Sequence, residues 1–515
     1  MYLTGKDIIE LLRKHSDLGH DKQNKAFIRQ VSFACASPGT SVPRAAGKAA
    51  GKIPLADAAA MYRFAGNDKI PISELRAVRA KTVLEQSPEG SDILIVHDMS
   101  LLDYSRHHSK QDRRPIGDYN GMGYEYVPCI AVDPATATTL GVIHDTLINE
   151  DGPDDRDVMD YDYEPLFAHF SKKEKQRLRE NHRHQMAVHI NGTASLLAGR
   201  HVIDVADREF DDIFILDCCR QNKRDFVIRS LANRNVQAPA YEWLPQSAAT
   251  EKQSGHALEP GHICVNMEQL IAHAPMQPYK SLPLDAKNRV AEKSNAKRHA
   301  DLSIGSFRAI LYRDAKRNGQ NVRPPRPVGV NIVVIRETNP PHDCKPLFWV
   351  LFTSLPADSL EQLAYVGRIY ELRWKIEDYF RLLKSGYRIL DSRLDNAAKI
   401  ARLLVVLAIA AMALLSLKQM VGLPPKGTMC KDDYQRVKTA MLEPDNPAID
   451  LNLRLFAFIA KSGGWLGRRA DPIGPTILMR GLLYYLDVID SFSQARSLIE
   501  ESLQKRNVFS GRICV

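Results

Sequence analysis

Two short apolar runs, far apart in the chain and each closed by an aspartate, constrain the fold more than any other feature. The first is Ile93-Leu94-Ile95-Val96, followed by His97 and Asp98. The second runs from Val202 through Ala206 and is followed by Asp207-Arg208-Glu209. Short apolar runs rich in β-branched residues read as strands buried on both faces, the kind found in sheets covered by helices on either side. Residues just past the ends of such strands are where ligand-binding groups are displayed. Taken singly, an aspartate at that place serves equally well as a turn former or a helix cap. His97 reads as structural. Residues 126–132, 139–145 and 225–229 read as further strands, and 73–86 as a helix. The resulting expectation is an α/β core on a mixed sheet.

Residues 370–384 form a third landmark. The stretch Tyr-Glu-Leu-Arg-Trp-Lys-Ile-Glu-Asp-Tyr-Phe-Arg-Leu-Leu-Lys holds no Gly or Pro, and its apolar residues recur at helical spacing. At about 100° per residue, Tyr370, Arg373, Glu377 and Lys384 fall within roughly a 60° arc. Ile369, Leu372, Ile376, Phe380 and Leu383 occupy the adjoining arc. The polar stripe fits two readings. A carboxylate can hold a divalent ion while cations and a phenol grip phosphate oxygens beside it. The same residues also fit a helix edge carrying ordinary pairs such as Arg373 with Glu377.

A chain of 515 residues with a formal net charge of +9 is expected to form several domains, and its modest basic excess is compatible with a nucleic-acid partner. Eight scattered cysteines lack C-x-x-C or Cys/His ligand spacing, which argues against a structural zinc site. His182, His184 and His189 do not match H-E-x-x-H, which argues against a metal there. Reduced thiols, no signal-peptide pattern and an apolar run at 403–417 too short to span a bilayer predict a cytoplasmic protein with no membrane association.

The chain divides by texture. Residues 1–72 read as a helical N-terminal domain in which Lys22, Lys25 and Arg29 share a helix face and Arg63 lies on a later helix. Phosphate contact and a solvated basic cap fit this region equally well. Residues 73–230 form the first part of the core. Within them, 171–197 reads as a long, charged, exposed helix. Residues 231–364 read as a β-rich insertion with basic loops and strands at 302–313, 328–336 and 348–352. The core resumes over 365–420, with a buried helix at 394–420. Residues 421–515 read as a helical C-terminal domain suited to dimerisation or to packing on the core.

Asp98, Asp207 and Glu377 together make a carboxylate triad drawn from two strand ends and one helix. Carboxylates without His or Cys ligands favour hard cations such as Mg²⁺ or Mn²⁺, and two such ions can drive phosphodiester chemistry. With the Tyr-x₂-Arg-x₃-Glu-x₆-Lys spacing and the β-rich stretch ahead of it, the chain resembles the DDE transposases of bacterial insertion sequences. The resemblance is to the insertion-sequence-four family and its Tn-five-like group, within the ribonuclease H-like, or retroviral integrase, superfamily. It covers most of the chain. It implies a ribonuclease H-like mixed-sheet core interrupted by the β-rich insertion and flanked by helical domains. It implies two Mg²⁺ ions, replaceable by Mn²⁺, held by Asp98, Asp207 and Glu377. It also implies that Tyr370, Arg373 and Lys384 contact transposon-end phosphates, that Trp349 stacks on a flipped base, and that Arg229 lines the active site. The N-terminal helices would bind the inverted-repeat ends. A homodimer would perform nicking, hairpin excision and strand transfer into target DNA. Gly123-Tyr124-Glu125-Tyr126 stands where the Tn-five relatives carry tryptophans. Two other readings remain open here: a metal-dependent nuclease of the same fold, and a non-catalytic DNA-binding regulator descended from a transposase.

Overall fold

The two apolar runs that end in Asp98 and Asp207 are neighbouring strands of one sheet. The computed structural model describes residues 5–36, 54–88, 90–117, 121–154, 181–250, 258–284, 298–312, 316–317, 320–321, 327–341, 346–417, 431–468 and 473–510. The chain separates into two units. One comprises Asp68–Glu377 with Arg393–Val405; the other comprises Met1–Asn67, Asp378–Ser392 and Val406–Val515.

The larger unit is built on strands β1 (Ile93–His97), β2 (Gly121–Asp133), β3 (Thr138–Asn149), β4 (Val202–Ala206) and β5 (Asp225–Arg229). It continues through β6 (Asn235–Pro239), β7 (His262–Asn266), β8 (Gln277–Leu284), β9 (Arg298–Leu311), β10 (Val328–Glu337) and β11 (Phe348–Thr353). Their order across one sheet is β7-β6-β9-β10-β11-β5-β4-β1-β2-β3, with β8 beside β9. Strand β4 runs parallel to both β1 and β5. β2 and β3 form an antiparallel hairpin against β1. All five residues of β1 and all five of β4 are buried, as expected of mostly apolar central strands; the two polar members, His97 and Asp204, bond each other at 2.7 Å.

In chain order the helices are α1 (Gly5–His15), α2 (Asp21–Ala36), α3 (Pro54–Ala65), α4 (Ile72–Leu84), α5 (His182–Gly192), α6 (Ile213–Gln221) and α7 (Met267–His273). They continue with α8 (Leu360–Leu372), α9 (Lys375–Arg381), α10 (Ala397–Ser416), α11 (Lys431–Leu442), α12 (Leu451–Ser462) and α13 (Pro475–Ser510). Alternation along the strands sends Phe226 and Ile228, Ile332 and Val334, and Val350 and Phe352 into one core with Met186 and Ile190 of α5, Leu216 of α6 and Leu270 of α7. Helix α8 lies on the opposite face. It approaches so closely at Gly367 that a Cβ there would sit 3.1 Å from Ile335 Cδ1. A Ser359/Gln362 capping box starts α8 and satisfies donors that the first turn leaves unpaired.

The smaller unit contains α1 to α3, where Phe27 stacks on Phe64 at 5.9 Å. It also contains α11 to α13, whose core includes Val437, Phe456, Ala460, Trp465 and Leu478. Helices α12 and α13 meet at glycines. A Cβ on Gly481 would lie 1.7 Å from the Ile459 carbonyl oxygen, and one on Gly463 would lie 1.9 Å from that of Ile477. Only Gly permits that approach.

Several expectations need correcting. The described part of the 171–197 region, α5, is buried from His184 to Ile190 rather than exposed; its residues 171–180 lie outside the described ones. The strands after β5 continue the core sheet, because β11 pairs antiparallel with β5, a connection on which the sequence reading was silent. Residues 370–384 are not one helix but α8, α9 and a π-helical turn at Leu382–Gly386. α10 is long and apolar enough to cross a membrane, yet 78% of its most apolar window is buried inside the protein, as a core helix would be.

One polar cluster ties α4 to the sheet. Asp145 on β3 is 1% exposed and accepts two hydrogen bonds from Arg79 at 2.9 Å, one from Arg76 at 2.7 Å and one from the Tyr126 hydroxyl at 3.0 Å. Burial alone would raise the pKa of Asp145; Arg79 and Arg76 outweigh it and hold the carboxyl well below the carboxylate range. This contribution to stability is present above the ordinary carboxylate pKa and is lost only in strong acid. Replacing Arg79 with Met leaves a buried carboxylate with one cation removed. Urea denaturation of Arg79→Met is therefore expected to show a loss of about 3–5 kcal/mol.

Candidate active site

The parallel pairing of β1 with β4 sets the site. Val96 is opposite Val205, so Asp98 and Asp207, each two residues further on, emerge together from the same edge. Adjacent strands lie about 4.8 Å apart, close enough for two carboxylates to share a cation. Asp207 caps a short 3₁₀ turn over Arg208–Phe210, accepting from the Glu209 amide at 2.8 Å. That cap holds the carboxylate in a fixed orientation.

Glu377 arrives from α9. Between α8 and α9 the backbone bonds tighten to the i+3 pattern: Ile376 N–H donates to Arg373 O and Glu377 N–H to Trp374 O, at 3.2 and 3.1 Å. The break places Arg373 at the end of α8 and Glu377 on the first turn of α9. Both enter the electrostatic environment of Asp98, as does Asp207.

Asp98 is 9% exposed. Its Oδ1 accepts from the Met99 amide and its Oδ2 from Arg373 Nη1, both at 2.8 Å. Burial pushes its pKa up to about 7, against the lowering effect of Arg373 and Met99; the negative charges of Asp207 and Glu377 push the same way as burial. Arg373 is itself 7% exposed, lies 5.3 Å from the Trp374 ring and 6.0 Å from the Tyr370 ring, and has a buried Nε with no hydrogen-bond partner.

Tyr370 is buried, and its hydroxyl pKa is raised by burial despite the nearby Arg373 and Arg229 guanidiniums, the latter hydrogen-bonded to it. Arg229, at the end of β5, also donates to the Phe348 carbonyl at 3.2 Å. Trp349 on β11 meets the Tyr370 ring edge-on at 5.3 Å. Seven of the residues singled out from sequence thus form one connected set in the larger unit: Asp98, Asp207, Glu377, Tyr370, Arg373, Arg229 and Trp349. Lys384, on the π-helical turn, and Lys22, Lys25, Arg29 and Arg63 belong to the smaller unit. Of these, Lys22, Lys25, Arg29 and Arg63 are exposed, Lys25 is paired with Asp21 at 2.6 Å, and Arg29 lies over the Phe33 ring at 5.5 Å.

The donor chemistry suits a hard divalent cation. Asp207 and Glu377 lie within electrostatic reach of Asp98, whose carboxyl burial pushes up to about 7 even beside Arg373. Asp98, Asp207 and Glu377 could hold Mg²⁺ or Mn²⁺ by oxygen ligation. Sequence reading missed the Arg373–Asp98 ion pair, because helical spacing pairs Arg373 with Glu377 instead. It also passed over Trp374, whose indole is 42% exposed beside Arg373; an unburied tryptophan inside an otherwise amphipathic stretch was the available signal.

Residues 175–413 match the transposase DDE domain family. The match takes in Asp207, Glu377 and the strands between them, and it supports a DDE transposase. It begins after Asp98, whose assignment rests on the geometry above.

A carboxyl that ionises near pH 7 must lose its proton when a cation binds. Apparent Mg²⁺ affinity is expected to rise about tenfold per pH unit below 7 and to level off above it, read by titration calorimetry at several pH values. The sign for stability is the reverse. Because the folded pKa is raised, Asp98 disfavours the folded state as pH climbs from about 4 to 7. In EDTA, Asp98→Asn is expected to melt higher than the wild type at pH 8, with the difference vanishing by pH 4.

Proposed function

We propose that this chain is a DNA transposase of the insertion-sequence-four, Tn-five-like kind, acting in the bacterial cytoplasm on the inverted-repeat ends of a mobile element. The observation that carries this reading is the convergence of Asp98 and Asp207, from adjacent parallel strand ends, with Glu377 and Arg373 from the α8–α9 break. The transposase DDE domain match supports the same reaction class.

Two Mg²⁺ ions bound there would supply Lewis-acid stabilisation of phosphodiester oxygens and activation of a water or a 3′-hydroxyl. The chain's own groups have separate tasks. Arg373 neutralises Asp98 and keeps its Nε for a phosphate oxygen. Arg229 and Tyr370 present a cation and a phenol to the same backbone. Trp349, half-buried and braced by Tyr370, offers one ring to an unstacked base in a hairpin-forming excision. Lys384 and the basic N-terminal residues Lys22, Lys25, Arg29 and Arg63 supply further phosphate contacts. Their share of affinity falls as salt rises.

Two copies of the chain would pair the two ends of the element before strand transfer into target DNA. Exposed Tyr484, Val488 and Phe492, spaced four apart on α13 and 43–71% accessible, support such pairing.

A labelled duplex carrying the element's own terminal repeat tests this. The wild type is expected to nick at the repeat boundary only with Mg²⁺ or Mn²⁺ and then to yield a hairpin on denaturing gels. Glu377→Gln should lower cleavage at least about a thousandfold while repeat binding in a mobility shift stays within about threefold. Trp349→Ala should keep nicking and lose the hairpin. Binding without cleavage under either ion would instead identify a regulator.

A further inference from the structure

The sheet face opposite Asp98 carries a second, chemically different cluster. His97 on β1 is the register partner of Cys129 on β2, and Cys129 is the partner of His144 on β3. The three side chains therefore form a row across three strands on one face. Helix α5 lays His189 over that row, its ring 4.7 Å from His144 and 6.2 Å from His97. One ligand atom from each of His97, Cys129 and His189 lies within 4.8 Å of the others, and all three residues are fully buried.

Each histidine is anchored by one nitrogen only. His97 Nε2 is 2.7 Å from Asp204 Oδ1, and His189 Nε2 is 2.9 Å from Thr146 Oγ1. The Nδ1 atoms of both rings are buried with no hydrogen-bond partner. A buried polar atom without a partner carries a desolvation penalty that nothing offsets. Two such rings grouped with one thiol call for a common explanation.

We propose that His97, Cys129 and His189 form a structural zinc site, with the two unpartnered ring nitrogens and the Cys129 sulfur as ligands. Nitrogen and sulfur donors select zinc over Mg²⁺, so the two faces of the sheet would sort their metals by donor type. The outer contacts fit. A ligating imidazole usually gives its other nitrogen to a carboxylate or a hydroxyl, as His97 does with Asp204 and His189 with Thr146. Burial keeps His189 neutral, which is the ligating form, and holds the Cys129 thiol protonated while no ion is bound. Binding therefore forms the Zn–S bond and releases the thiol proton to water. The ion's positive charge is then met by the thiolate and by Asp204. His144 stands beside the site, its ring 4.7 Å from that of His189, outside the set of three.

Sequence spacing hid this site. Its residues are separated by 32 and 60 positions, as read from the numbering, and only strand register and the crossing of α5 bring them together. The site would fix the end of β1 one residue before Asp98, and so would act on the catalytic edge by positioning alone.

The test is metal content of the full chain, purified without chelator from zinc-supplemented cells. About one zinc per chain is expected, retained in Glu377→Gln and lost in both Cys129→Ser and His189→Asn. Co²⁺ supplied during refolding of the wild type should give a thiolate-to-cobalt charge-transfer band in the near ultraviolet. That measurement does not depend on any variant folding. Wild-type protein with less than about a tenth of an equivalent of zinc and no cobalt–thiolate band overturns the proposal, leaving a neutral histidine cluster. Zinc that persists in Cys129→Ser but is lost in Glu377→Gln also overturns it, since the ion would then lie at the carboxylates.

Discussion

Everything at the candidate site depends on two strands lying side by side in parallel and in register. β1 and β4 are short, wholly buried and rich in β-branched residues, and their pairing leaves no choice about where Asp98 and Asp207 emerge. Two carboxylates brought that close repel each other, and burial worsens the repulsion. The α8–α9 break answers it with Arg373, and Glu377 completes the donor set from the same break. Burial of the Asp98 carboxyl, with the negative charges of Asp207 and Glu377 adding to it, is the physical content of its raised pKa.

The two faces of the sheet are chemically distinct. Toward α8 stand carboxylates, guanidiniums, a phenol and an indole, all suited to phosphate and base. Toward α5 stand imidazoles and a thiol, closed from solvent. Period-two alternation separates them: His97 and Asp98 are neighbours in the chain but serve opposite sides.

Much of this was legible from residues alone. The apolar runs before Asp98 and Asp207 announced buried strands because nothing polar interrupts either long enough to face water. The stretch around Glu377 announced a helix because its apolar residues repeat at the right period. The break at Trp374 was not legible: no Gly or Pro marks it, and the tightened hydrogen bonds arise from packing rather than propensity. Helix α5 looked exposed because its charged flank at 171–180 dominated its texture, whereas His184 to Ile190 pack inward. The His97–Cys129–His189 cluster was invisible for a different reason, since it exists only through cross-strand partnership. Of the strands between β5 and α8, β9, β10 and β11 were readable one by one, whereas β6, β7 and β8 were not, nor was the attachment to β5 through β11.

That attachment bears on how the protein could be dissected. With β11 hydrogen-bonded to β5, the segment 231–353 is woven into the sheet that carries Asp207. Cutting it away would strip β5 of its neighbour and turn an interior strand into a raw edge, the kind of surface that recruits strands from other molecules. A trimmed core made from this chain would then be a template for aggregation rather than a smaller working protein. Any shorter relative that lacks the segment must guard the flank of β5 by some other means.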